Sequence, residues 1–251
     1  MQWTALEPTR ELQAVIGFNK SSNWNEFEKA LEDFNAPAQN FVFADKSGTI
    51  AYKANGNVPI RKKGNAELPV PGDSSDYGWK GYIPYDELPR VVNPKEGFVA
   101  TANNEVIGEE YPYHLSNLWA QEYRYERIAE MLEASDNLTA DDMKAIQMDT
   151  KDLYAVEFLP SLLSTLKSTA GDEYKDALKI LESWDYYDDA NEAAPLIFQL
   201  LMNELQESLF IGEMPEDIYN LMPGKAQILD EMLRETYQGK TVLWIEKRGG
   251  H

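Results

Sequence analysis

Two apolar runs joined by a four-residue polar turn constrain this chain more than any other feature. Asn40-Phe41-Val42-Phe43-Ala44 and Thr49-Ile50-Ala51-Tyr52 flank Asp45-Lys46-Ser47-Gly48. Asp and Gly supply the chemistry of a tight turn, so the segment reads as a β-hairpin. Both faces of the two strands carry apolar side chains, which predicts a sheet covered on both sides. A hairpin of that kind needs helices around it.

Helices precede it. Residues 10–18 carry apolar side chains at helical spacing, and Asn23 followed three residues later by Glu26 is a capping signature for a helix running to Phe34. Trp24, Phe27, Leu31 and Phe34 then share one face. After the hairpin, residues 58–92 are too rich in Pro and Gly for long regular elements, yet their aromatics need something to pack on. They read as an ordered surface loop. Pro94-Lys95-Glu96-Gly97-Phe98-Val99-Ala100-Thr101-Ala102-Asn103-Asn104 follows and reads as an apolar strand that ends in two side-chain amides. Beyond it, helical periodicity covers residues 118–132, 140–148, 153–169, 174–184, 193–210, 216–221 and 226–237. These patterns predict a helix-dominated α+β chain with a mixed α/β domain over residues 1–115 and a helical domain over 116–251.

Charge and composition exclude several functions. Asp and Glu number 43 against 23 Lys and Arg, a net charge of -20 that repels phosphate backbones and anionic lipid surfaces, so no nucleic-acid partner is expected. No apolar run approaches the roughly 20 residues of a membrane span. The first residues, Met1-Gln2-Trp3-Thr4-Ala5-Leu6-Glu7-Pro8, lack a signal peptide's basic and apolar regions. The strand-like Thr241-Val242-Leu243-Trp244-Ile245 is followed by Lys247-Arg248-Gly249-Gly250-His251, which reads as a cut through a longer chain.

Few residues can carry nucleophilic chemistry. There is no Cys, and the two histidines are His114 and His251. A Cys–His pair is therefore excluded, and a Ser–His–Asp triad would rest on His114, which sits in a Pro-flanked turn without a carboxylate to orient it. The amides of Asn103 and Asn104 can aim N–H donors at a developing oxyanion, or they can serve a turn by bonding their own backbone. Arg124 taken alone is a surface helix residue near Glu122 and Glu126. Asp185, Asp188, Asp189 and Glu192 lack the alternating ligands and central Gly of a calcium loop and read as a solvated helix start. Arg61-Lys62-Lys63 keeps its charges in water. Tyr77, Trp79, Tyr82 and Tyr85 suit an acyl pocket or the packing of the long loop equally.

The order of these motifs resembles the penicillin acylase family of N-terminal nucleophile hydrolases, in the interior of its large β chain. The resemblance is carried by Asn23-Trp24-Asn25-Glu26-Phe27, Gln39 to Asp45 with Gly48-Thr49-Ile50-Ala51-Tyr52, and Leu68-Pro69-Val70-Pro71-Gly72. It continues through Trp79-Lys80-Gly81-Tyr82-Ile83-Pro84, Pro89-Arg90-Val91-Val92-Asn93-Pro94, Gly97 to Asn104, Tyr111-Pro112 and Tyr123-Arg124-Tyr125-Glu126-Arg127-Ile128. It implies that the hairpin belongs to an αββα sheet, and that the parent enzyme is a hydrolase of N-acyl amides such as penicillins or cephalosporins. In such enzymes a precursor cuts itself to expose a Ser whose α-amino group serves as base, so neither His nor Cys is required. The resemblance places Asn103 in the oxyanion hole and Arg124 beside the nucleophile's amine. Both are catalytic candidates on that basis.

The same resemblance implies partners and absences. The parent would supply an α chain, the remaining β-chain segments and the Ser, so this chain alone is expected to be inactive toward its small-molecule N-acyl substrate. Ser22-Asn23-Trp24 imitates the family's Ser-Asn-x-Trp opening but stands at a helix start, where Ser and Asn read as caps. The family's structural calcium implies no cofactor here, because its downstream acidic ligand falls near Leu115. An extracytoplasmic location accords with the family and with the absence of Cys. The competing reading is a stand-alone acidic helical interaction module derived from such an enzyme. Strands 40–52 without sheet neighbours would also leave backbone edges that favour self-association.

Overall fold

A computed structural model describes residues 1–243 and 245. The chain is α+β with helix dominant, and it divides into two compact units, Met1–Tyr125 and Glu126–His251.

In the first unit, α1 (Glu11–Lys20) and α2 (Trp24–Leu31) lie over a hairpin of β1 (Gln39–Ala44) and β2 (Ile50–Asn55). The Asn23 side chain caps α2 by accepting from Glu26 N–H at 3.0 Å, and Glu26 accepts in return from Ser22 N–H at 2.8 Å. Asn23 thus satisfies a helix-end donor as the cap, whereas Ser22 contributes only its own backbone N–H, which Glu26 accepts. The helix ends at Leu31, three residues before the expected Phe34, but Phe34 still packs against Phe41 with ring centroids 5.0 Å apart. Gly17 is the point at which α1 meets α2. A Cβ there would lie 2.6 Å from that of Ala30.

The hairpin forms as its turn chemistry dictates. One Asp45 carboxylate oxygen accepts from Ser47 N–H at 2.8 Å and Thr49 N–H at 3.2 Å. Register sets Phe41 opposite Lys53 and Phe43 opposite Ala51, so these side chains face the helices. There Phe18, Phe27, Phe41 and Phe43 surround buried Trp24, Leu31 and Ala51. The other face is covered only over β2: Tyr52 is 8% exposed, whereas Val42 opposite it on β1 is 52% exposed.

Residues 58–92 are more regular than their composition predicts. Pro59–Arg61 (β3) pairs with Trp79–Tyr82 (β4), and Arg90–Val92 (β5) completes an antiparallel sheet of order β1-β2-β5. Pro89 is accommodated because it precedes β5 and needs to offer only its carbonyl, which accepts from Ala54 N–H. The expected strand ending in Asn103 and Asn104 does not form. Residues 98–101 have no regular structure, since an apolar run this short acquires a ladder only beside a strand of matching register.

Helix α3 (Tyr123–Glu133) begins five residues later than its periodicity suggests. The second unit then comprises α4 (Ala140–Met148), α5 (Leu153–Thr169), α6 (Lys175–Glu182), α7 (Ala194–Phe210), α8 (Glu216–Leu221) and α9 (Lys225–Tyr237), close to the bounds read from the sequence. Its buried core includes Phe158, Leu159, Phe198, Phe210 and Leu229. Leu243 and Ile245 are helical rather than extended, with Ile245 N–H on the Val242 carbonyl at 3.0 Å. Trp244 and residues 246–251, where the rest of that terminal expectation falls, lie outside the described residues.

Candidate active site

The two neighbouring amides have opposite environments. Asn104 is 6% exposed, and both ends of its side chain are occupied by backbone: Oδ1 accepts from Ala102 N–H at 3.0 Å, and Nδ2 donates to the Glu105 carbonyl at 3.1 Å. Asn103 is exposed and has a φ of +64°, a left-handed conformation that Asn tolerates better than other residues with a Cβ. Its Oδ1 accepts from Arg124 Nη2 at 3.0 Å. A guanidinium offers only donors, so this contact assigns the oxygen of the amide to the Arg124 side. The Nδ2 group consequently faces away from Arg124, and among the described residues nothing accepts from it.

Arg124 is the second residue of α3, and its Nη2 also donates to the Ala102 carbonyl at 2.6 Å. Among the described residues it makes no ion pair with Glu122 or Glu126. A cation in the first turn opposes the helix dipole, at a cost of about 0.3–1 kcal/mol. The position is therefore set by the loop that Arg124 grips rather than by the needs of the helix. Ala120 N–H adds a further tie, to the Asn103 carbonyl at 2.8 Å.

Behind this loop runs a relay that sequence reasoning missed. Tyr52 OH donates to Asn40 Oδ1 at 2.7 Å, and Asn40 Nδ2 donates to Thr101 Oγ1 at 3.4 Å. It joins the hairpin to the segment two residues before Asn103. Burial pushes the Tyr52 phenol well above the ordinary tyrosine range, so it stays a donor at physiological pH. No local signal in the sequence connects positions 40, 52 and 101. A cleft of about 250 Å³ lies on the same side, lined by Tyr52, Phe98, Val99, Asn104, Val106 and Tyr125 among others.

The other candidates are not gathered here. His114 is exposed. Tyr85 is part of the helix–sheet core, bonded to the Glu28 carbonyl with Lys53 Nζ 4.0 Å above its ring, whereas Trp79 packs on Tyr82 and Tyr77 lies under Lys63. Asp185 and Asp189 close local turns by accepting from Tyr187 and Asn191 N–H. Among the described residues no group of three or more His, Asp or Glu is placed to hold a metal ion. At the position where the resemblance puts the calcium's downstream acidic ligand stands Leu115, whose side chain has no oxygen to offer.

The fold and this loop define a helix-dominated α+β chain that presents one arginine-anchored amide beside a small cleft. The chain belongs to the penicillin amidase family, whose model matches residues 1–249. It is 36% identical over 155 residues to the penicillin acylase 2 proenzyme of Pseudomonas sp. (strain SE83), covering 62% of this chain and 20% of that protein. To the acyl-homoserine lactone acylase QuiP of Pseudomonas fluorescens (strain Pf-5) it is 28% identical over 231 residues, 85% of this chain and 28% of the relative. A solved thermostable penicillin G acylase from Alcaligenes faecalis shares the fold, with a TM-score of 0.67 at 23% identity over 86% of this chain and 40% of that one. The chain thus spans less than a third of the length of these curated relatives.

Proposed function

We propose that this chain supplies the oxyanion side of an N-acyl amide hydrolase. Asn103 Nδ2 donates to the oxygen that becomes negative as the acyl carbonyl is attacked, and Arg124 holds the amide oxygen so that the donor end faces the reaction. The observation that carries the reading is the difference between the two amides: Asn104 is closed on its own backbone, whereas Asn103 is anchored at its oxygen and open at its nitrogen.

The nucleophile in this reading is a Ser outside these 251 residues, released with its own α-amino base from a precursor, and it forms the acyl intermediate that water then hydrolyses. The description of one relative as a proenzyme supports maturation by cleavage. Relatives named for penicillin and for acyl-homoserine lactones support N-acyl amides as the substrate class. The partners are the parent's α chain and remaining β-chain segments, with calcium held by residues elsewhere in the parent and an extracytoplasmic location. By itself the chain is inactive. Asn103→Ala in the complete enzyme is expected to lower kcat by about 10²–10³-fold with processing intact. A loss of less than about threefold would remove the assignment.

A further inference from the structure

We propose that Asn104 is a positioning residue whose buried amide locks the left-handed turn at Asn103 and so sets the direction of the Asn103 donor. The inference rests on the oxyanion reading of Asn103. Three ties hold the turn: Asn104 Oδ1 takes Ala102 N–H, Arg124 takes the Ala102 carbonyl, and Ala120 N–H takes the Asn103 carbonyl. Only the Asn104 tie spans Asn103 within the loop itself, linking the residue before it to the residue after it. Its other end, on the Glu105 carbonyl, anchors the amide from the far side.

The physical need is specific. Left-handed backbone at φ +64° costs a residue with a Cβ, even Asn, some conformational energy, so the turn is held firmly only where its neighbours fix it. If the turn relaxes, the Asn103 Cβ swings, Oδ1 leaves Arg124 and the amide is free to rotate. A donor that must be aimed before charge develops then loses most of its effect, while substrate binding, which does not use it, is retained. The same two hydrogen bonds explain why a polar side chain is buried at this position.

The test is a kinetic set on the complete, processed enzyme, using a p-nitroanilide of its acyl group, with thermal melts as a check on folding. Asn104→Ala is expected to lower kcat by about 10–100-fold with KM changed by less than about twofold. Asn104→Ser offers a hydroxyl that can accept the Ala102 N–H, and it should recover part of the loss. Asn103→Ala combined with Asn104→Ala should be no slower than Asn103→Ala alone, because the turn has no work left once the donor is gone. A rise in KM at unchanged kcat, a serine no better than alanine, or losses that multiply in the double variant would each overturn the proposal. If Asn104→Ala fails to mature, Asn104→Ser carries the same comparison of kcat with KM and the same double variant. Should Asn103→Ala prove harmless, the oxyanion reading itself is lost. If Asn103→Ala is slow and folded Asn104→Ala is not, only the positioning role is lost.

Discussion

At residue 103 the decisive event is the choice between the two ends of one amide. Arg124 can only donate, so it claims Oδ1 and leaves Nδ2 as the outward group. Asn103→Asp separates anchoring from donation: a carboxylate keeps the Arg124 contact and tolerates the left-handed backbone but has no N–H. The expected outcome is a melting temperature at or above the parent's, with kcat reduced about as far as in Asn103→Ala. An active Asp variant would contradict the donor role. Arg124→Lys tests the anchor: one nitrogen, Nη2, donates to both the Ala102 carbonyl and Asn103 Oδ1, and the shorter lysine side chain ends about one bond short of that position. Its kcat should fall by roughly tenfold or more, with the loss in KM smaller. Residue type alone leaves Asn103 and Asn104 equivalent as amides, and only the family resemblance singled out Asn103. Burial and the hydrogen bonds to Ala102 and Glu105 separate them.

At the level of elements, local chemistry predicts well wherever the partner is close in the chain. Asn23 caps α2 through an N–H three residues away, and Asn23→Ala should cost about 0.5–2 kcal/mol, read from urea unfolding. The Asp45 turn and the helices from α4 to α9 are legible for the same reason. Elements that depend on distant partners are not: β3, β4 and β5 each exist by pairing across the chain, and residues 98–101 have the composition of a strand but no ladder. Arg127 and Asp149 illustrate a distant pair that carries a pH dependence. Arg127 Nε and Nη2 donate to the two carboxylate oxygens at 2.7 and 2.8 Å, and this holds the Asp149 carboxyl below the usual aspartate range. A carboxyl whose pKa is lower folded than unfolded adds stability that is complete above the unfolded value, about 3.9, and disappears as pH falls through the folded one. Asp149→Asn should therefore lower the urea midpoint at pH 7, and the gap to the parent should narrow steadily below about pH 4.

Over the whole molecule the net charge of -20 governs behaviour in solution. It keeps copies apart at low ionic strength, when the Debye length exceeds about 10 Å, and it opposes compactness through self-repulsion. Raising NaCl from about 0.02 M to 0.5 M should raise the melting temperature by a few degrees. It should also allow β1, the end strand of its sheet and free of Pro and charge, to associate through its edge, so light scattering should report a monomer at low salt and a rising mass at high salt. A mass independent of salt would remove β1 from consideration as a contact edge. Family membership and the helix-dominated α+β class were legible in the sequence, and the same motif order nominated Asn103 and Arg124 as candidates, because motif order, turn chemistry and periodicity are properties of neighbours along the chain. Only the tertiary structure could set Arg124 on the Asn103 oxygen, bury Lys53 on the helix face and link Tyr52 through Asn40 to Thr101. Each of those depends on hydrogen bonds or burial among groups that the backbone path alone brings into contact, and no local preference encodes them.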